Sequence, residues 1–295
     1  MYQNSKNEGH IMSIFIDKVK SFIEEKNYNV YHFSAIINGE AENLHFGKSN
    51  PCQNSYSVAK AFVVTAVGLL YDKGLLSTDE KVTDILRKYL PKDMDERWEL
   101  TTVHMALKHK IGLPGGFLDI DCIDANEFGR DYLGYMLSHP LEYTPGEASK
   151  YTDGAYYLLA RIVEEKAGMN ITDFMWKEMF FDLGFREVAW SVCPMGHPMG
   201  ATGLYVRSED TVKLGQIYLE GGTYKGKRYI SKEWADIVPE RGYELSRTGR
   251  GLSFAKGGMR GQQLLVIPEK NMAVAWHACM SSEIKREIID LCYED

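Results

Sequence analysis

The chain lacks most of the features that would move it out of the ordinary globular class. Among its 295 residues there are five cysteines, Cys52, Cys122, Cys193, Cys279 and Cys292. Their number is odd and none shows Cys-x-x-Cys spacing, which argues against both a disulfide framework and a zinc site. No apolar run reaches the roughly 20 residues of a membrane helix. Residues 1–13 are polar, with no apolar segment of leader type, so a cytoplasmic protein is expected. Basic runs are missing as well. The 34 Lys and Arg stand against 41 Asp and Glu, a net charge of −7, and nothing is concentrated enough to meet a phosphate backbone. Neither nucleic acid nor membrane is an expected partner, and a small neutral or cationic ligand fits better. Internal repeats and low-complexity tracts are absent.

With 44% hydrophobic and 25% charged residues, the chain can bury a large core, as one domain or two intimate lobes. Strand patterns lie at its two ends. Val30 to Ile37 is β-prone, Asn38-Gly39 signals a hairpin, and Glu40 to Gly47 returns. Gly251 to Lys256, Gln262 to Pro268 and Met272 to His277 follow near the C-terminus. Helical patterns cover Ile14 to Lys26, Thr78 to Tyr89, Thr101 to His109, Asp153 to Gly168, Ile171 to Phe181, Ser208 to Glu220 and Ser282 to Tyr293, and Ser231 marks a further helix start. This order predicts one antiparallel sheet built from the chain ends and carrying a helical insertion. The expected division is an α/β lobe of residues 14–75 and 200–295 with a helical lobe of 76–199.

Residues 54–71 read as a polar loop that turns into an apolar helix closing at Lys73-Gly74. Ser57 and Lys60 fall at its first turn, three apart, so hydroxyl and amine can come within hydrogen-bond reach. A helix start also offers unpaired N–H groups that favour negative charge on an attacked carbonyl, and the N–H of Ser57 is a candidate oxyanion donor. Ser253 to Lys256 and Ser282 to Lys285 share the spacing; only Ser57 has cap residues before it and an apolar helix after it. A capping serine with a snorkelling lysine is the competing reading. Tyr151-Thr152-Asp153 precedes the helix 153–168: Tyr151 could relay a proton near Lys60, or the stretch is a turn with Asp153 as cap. Lys256-Gly257-Gly258 ends a strand, either to let a backbone approach a ligand or as a bulge.

Taken together, Ser57-x-x-Lys60, Tyr151-x-Asp153 and Lys256-Gly257-Gly258 resemble, in order and spacing, the three boxes of the serine β-lactamase and penicillin-binding-protein superfamily. The nearest branch is that of class C β-lactamases with their esterase, D-aminopeptidase and aminohexanoate-oligomer hydrolase relatives. The stretch from Thr102 to Pro114 is similar to the family segment ending His-Thr-Ser-Gly-Leu-Pro. Gly200 to Tyr205, Ser208-Glu209-Asp210, Gly261-Gln262 and Ile267-Pro268-Glu269 match further segments. The resemblance implies an α+β, β-lactamase/transpeptidase-like fold, an antiparallel sheet flanked by helices plus an all-helical lobe. It implies a serine hydrolase acting through an acyl-enzyme on a small-molecule ester, amide or D-amino-acid peptide, with no cofactor and no metal. Ser57 would be the nucleophile, and Lys60 and Tyr151 would share the base role. Asp153, Lys256, Gly257, Gly258 and Met259 would meet the substrate, the N–H groups of Ser57 and Met259 forming the oxyanion hole. The histidines are read as structural.

Three departures from the family pattern stand out. Asp153 replaces Asn, exchanging a donor for a group that only accepts when ionised; it is expected to pair with Lys60 or a cationic substrate group and to weaken binding of acylamino β-lactams. Gly257 replaces a Thr that could contact a substrate carboxylate, and Lys110-Ile111 replace Thr-Ser. A poor β-lactamase is therefore expected. A non-turnover acyl sensor or an inert binding module on the same fold is the alternative.

Overall fold

A computed structural model describes residues 2–47 and 50–294, residues 2–10 by backbone alone. The chain divides into two compact units. The first comprises Met1–Val58, Tyr205–Pro239 and Leu245–Asp295, and the second Ala59–Leu204 with Glu240–Glu244.

The first unit is built on a six-stranded antiparallel sheet. Its strands are β1 (Val30–Ile37), β2 (Glu40–His45), β5 (Ser246–Arg247), β6 (Phe254–Gly257), β7 (Gln263–Ile267) and β8 (Met272–Ala278), in the order β2-β1-β8-β7-β6-β5. The first and last strands in sequence thus pair at its centre, with Phe33 opposite Trp276 and their rings stacked at 5.7 Å. A short ribbon pairs β3 (Cys52–Asn54) with β4 (Leu204–Arg207). Both faces of the sheet are covered, so β7 reads Gln-Leu-Leu-Val-Ile, buried throughout, where a half-exposed strand would alternate. Leu265, Ile267, Val274 and Trp276 pack on the helices Tyr2–Glu25 and Ser282–Tyr293 through Met12, Ile16, Val19, Ile23, Ile288 and Leu291. The opposite face meets the helix Ser208–Leu219. There a Cβ on Gly215 would lie 2.9 Å from Leu264 Cδ1, so the glycine lets the helix sit close.

His277 lies buried in β8, its Nδ1 3.0 Å from Gln262 Oε1. Burial, reinforced by nearby His32, drops its pKa to about 3. The folded state therefore holds neutral imidazole, stabilising above the ordinary value of 6.5, and this share is lost as pH falls from 6.5 toward 3. Between pH 6.5 and 5 the loss is roughly 2 kcal/mol. Urea titrations across that range should show a flatter acid limb in His277→Gln than in wild type; parallel limbs would contradict the assignment.

The second unit is helical. Ala59–Asp72 packs on Asp153–Ala167 and Ile171–Met175. That packing sets its place: residues 59–75, expected with the sheet, cluster with the helices, and the division falls after Val58. Gly74 and Gly168 close their helices in the left-handed region, as their sequence positions predict. The helix expected over Thr78 to Tyr89 shrinks to Val82–Ile85 and a 3-10 turn at Arg87–Tyr89. The carbonyls of Thr78 and Glu80 accept from the N–H groups of His104 and Val103, so they are committed elsewhere and the helix starts later. The helix over Ile171 to Phe181 similarly loosens into a π turn at Trp176–Phe180.

Candidate active site

Within the first unit, Ser57 lies in a 3-10 turn, Tyr56–Val58, rather than in the α-helix that starts at Ala59. Asn54 Oδ1 accepts from the N–H of Tyr56 at 2.9 Å, and the carbonyl of Ser55 accepts from Val58 at 3.1 Å. Tyr56 itself has φ +47°, a costly conformation for a residue with a side chain and one that clusters at functional sites. The Lys-Gly-Gly box comes to this turn. A Cβ on Gly258 would stand 2.5 Å from the Ser55 carbonyl oxygen, the same oxygen that closes the turn. Gly258 is therefore a spacer, and Gly258→Val should push the turn open. On the hydrolase reading proposed below, kcat/KM on an activated ester should fall about 100-fold, the order a 1 Å misplacement costs, with the urea midpoint little changed; full activity would mean the turn tolerates the displacement. Lys256 is buried on the strand before it. Met259 is partly exposed in the 3-10 turn Met259–Gly261, where Arg260 has φ +57°.

Within the second unit, Lys60 is wholly buried on a helix whose residues from Ala59 to Leu70 are all buried and otherwise almost entirely apolar. Its Nζ donates to Asp153 Oδ1 at 2.7 Å and to the Ala201 carbonyl at 2.9 Å. The ammonium also lies 4.7 Å from the centroid of the Tyr151 ring and 5.8 Å from that of Tyr156. Burial opposes the charge, but the Asp153 carboxylate, aided by Tyr151 and Glu244, outweighs it and raises the pKa of Lys60 above its ordinary 10.5. Lys60 is thus a fixed cation. Of the two partners expected for Asp153, the structure shows the lysine. Carboxylate oxygens of Asp119, Asp121 and Asp153 lie within 4.8 Å of one another, the one such acidic group among the described residues, and Lys60 already supplies a cation to it. Asp121 also accepts from Thr202 at 2.5 Å. Its pKa is raised, chiefly by burial.

Tyr151 is 48% exposed and is fixed through its backbone and ring. Its carbonyl accepts from Gly116 at 2.9 Å, and its ring lies 4.6 Å from that of His109. Thr152 caps the following helix through Gly154, the part that the alternative reading gives to Asp153, which leaves Asp153 to Lys60.

The structure thus gathers Lys60, Tyr151 and Asp153 in one unit, and Ser57, Lys256, Gly257, Gly258 and Met259 in the other. Reading by residue type overlooks Ala201, whose contribution is a backbone carbonyl. The neighbouring Gly200 has φ +68° and a would-be Cβ 2.5 Å from the Tyr156 carbonyl, so a glycine is what lets this loop approach the helix closely. Trp98 and Trp190 are core residues.

Among known proteins, a sequence model of the beta-lactamase family matches residues 53–278. Penicillin-binding protein 4* of Bacillus subtilis (strain 168) is 29% identical over 148 residues, 48% of this chain and 31% of that protein. The 6-aminohexanoate-dimer hydrolase of Paenarthrobacter ureafaciens is 24% identical over 224 residues, 68% of this chain and 53% of its own. The chain therefore spans about a third to a half of the length of these relatives. The crystal structure of a family VIII carboxylesterase superimposes with a TM-score of 0.72 at 16% identity, covering 95% of this chain and 96% of the other, a likeness of fold. No described helix is long and apolar enough to cross a membrane.

Proposed function

The chain belongs to the beta-lactamase family, and from that premise we propose that it is a serine hydrolase working through an acyl-enzyme on small esters, amides or D-amino-acid peptides. The observation that carries the proposal is Lys60: a wholly buried cation three residues after Ser57, on an apolar helix, with Asp153 and the Ala201 carbonyl as partners. A buried charge disfavours folding unless it is paired, and groups so perturbed concentrate at functional sites.

In the proposed reaction the Oγ of Ser57 forms a bond to the substrate carbonyl carbon. Tyr151, acting in its phenolate form, which the Lys60 ammonium favours, receives the hydroxyl proton and becomes neutral. Since Lys60 is committed to Asp153 as a cation, the proton-accepting share of the base role falls to Tyr151. The oxyanion takes hydrogen bonds from the backbone N–H groups of Ser57 and Met259. Collapse expels the alcohol or amine, which takes the proton from Tyr151. Water then attacks the ester in the reverse sense and Ser57 is restored. Asp153, as an acceptor occupied by Lys60, offers no N–H to an acylamino carbonyl, and Gly257 offers no hydroxyl to a carboxylate; both favour plain esters and amides over β-lactams.

The pairing of Lys60 also supports a second reading, a sensor that acylates and stops, if no base is left for water. Time courses with p-nitrophenyl acetate separate the two. We expect nitrophenol release to continue well beyond one equivalent per chain. A burst that ends at one equivalent would establish the sensor, and no nitrophenol release at all would remove the acyl-enzyme.

A further inference from the structure

His109 and Glu244 lie 135 positions apart in sequence and form a buried pair in the second unit, His109 Nε2 to Glu244 Oε1 at 2.6 Å. The residues Glu240–Glu244 cluster with this unit. Tyr243 is held by His104 at 2.5 Å, and the carbonyl of Arg241 by Lys108. Glu244 has φ +63° and His109 φ +55°, so both side chains issue from strained backbone. The other imidazole nitrogen is also engaged: the N–H of Thr152 donates to Nδ1 at 3.2 Å. A ring nitrogen that accepts carries no proton, so the proton of His109 is on Nε2, where it donates to the Glu244 carboxylate.

The imidazole so fixed is a wall for Tyr151. Its ring centroid lies 4.6 Å from that of Tyr151 on one side and 5.0 Å from that of Tyr156 on another. Tyr156 is itself pinned by a bond from its hydroxyl to the Leu107 carbonyl at 3.1 Å. The His109 carbonyl accepts from the N–H of Lys150 at 2.9 Å, and the N–H of Thr152 is held by the imidazole, so the backbone on both sides of Tyr151 is tied to one residue. The Lys60 ammonium lies 4.7 Å from the centroid of the Tyr151 ring. Tyr151 is therefore next to both an imidazole and an ammonium.

We propose that Glu244 and His109 are positioning residues for Tyr151: the carboxylate fixes the tautomer and orientation of the imidazole, and His109, through its ring, its Nδ1 and its backbone carbonyl, holds the tyrosine beside Lys60. The pair touches no reacting atom. Its effect reaches the chemistry only through Tyr151, so the inference rests on the catalytic role proposed for that residue.

The test compares Glu244→Gln, which keeps an acceptor for Nε2–H, with Glu244→Leu, which removes it. Rates of p-nitrophenyl acetate hydrolysis are divided by the concentration of sites that a fluorophosphonate can titrate. Per titrated site, Glu244→Leu should lose about 10- to 100-fold in kcat with KM within about twofold of wild type, and Glu244→Gln should recover most of the loss. If both variants keep wild-type kcat per titrated site and only the titratable fraction falls, the pair is structural and the inference fails while the hydrolase stands. If wild type shows no serine labelling, it is the hydrolase reading that fails. A second measurement needs no variant: long-range 1H–15N spectra of histidine-labelled protein should show His109 protonated at Nε2, and protonation at Nδ1 would overturn the proposal directly.

Discussion

Lys60→Met is expected to be the most damaging single substitution in this chain. It removes the cation that pairs the buried Asp153 carboxylate and leaves that charge without its closest partner, a change that costs about 3–5 kcal/mol when one half of a buried ion pair is deleted. In the proposed chemistry it also removes the charge that lets Tyr151 accept a proton, for a loss of about 10³-fold or more in kcat. The two effects separate in a double variant. Lys60→Met with Asp153→Leu replaces both members by apolar groups and should recover most of the urea stability, while activity stays lost. Recovery of activity along with stability would mean that Lys60 serves packing alone. The sign of the pH dependence is fixed as well. With its folded pKa above 10.5, Lys60 contributes its full stabilisation below 10.5 and loses it only as the pH rises through the folded value.

Much of this arrangement was legible in the sequence, because it follows from local rules. The terminal helix runs from Ser282 to Tyr293 as its periodicity predicts, and the hairpin at Asn38-Gly39 joins β1 to β2 with both turn residues at positive φ. The Ser57-x-x-Lys60 spacing marks the candidate site because an apolar helix containing one lysine is conspicuous. What escaped was set by distance along the chain. The pairing of Asp153 with Lys60, 93 residues apart, is one of the two expected from the sequence, whereas that of Glu244 with His109, 135 apart, is not; nothing local distinguishes the latter side chains from solvated ones. Thr152 takes the cap that the alternative reading gives to Asp153, because a hydroxyl and a carboxylate one position apart compete for the same N–H groups and the buried lysine decides which is free. In the Ser57 turn, 3-10 rather than α, the Ser55 carbonyl accepts from Val58, and only a glycine some 200 residues downstream, Gly258, leaves that oxygen room.

The proposed chemistry turns on Ser57. Under it the hydroxyl is the group acylated, and Ser57→Ala, a small change in a short turn, should leave the fold intact while reducing ester turnover by about 10⁶-fold, the scale seen when a catalytic serine is removed. The most direct measurement is intact mass followed by peptide mapping after exposure to a fluorophosphonate, with wild type and Ser57→Ala treated side by side. The expected result is a single adduct on the peptide containing Ser57 in wild type and none in the variant. An adduct of equal yield in both proteins, or none in folded wild-type protein, would contradict the account.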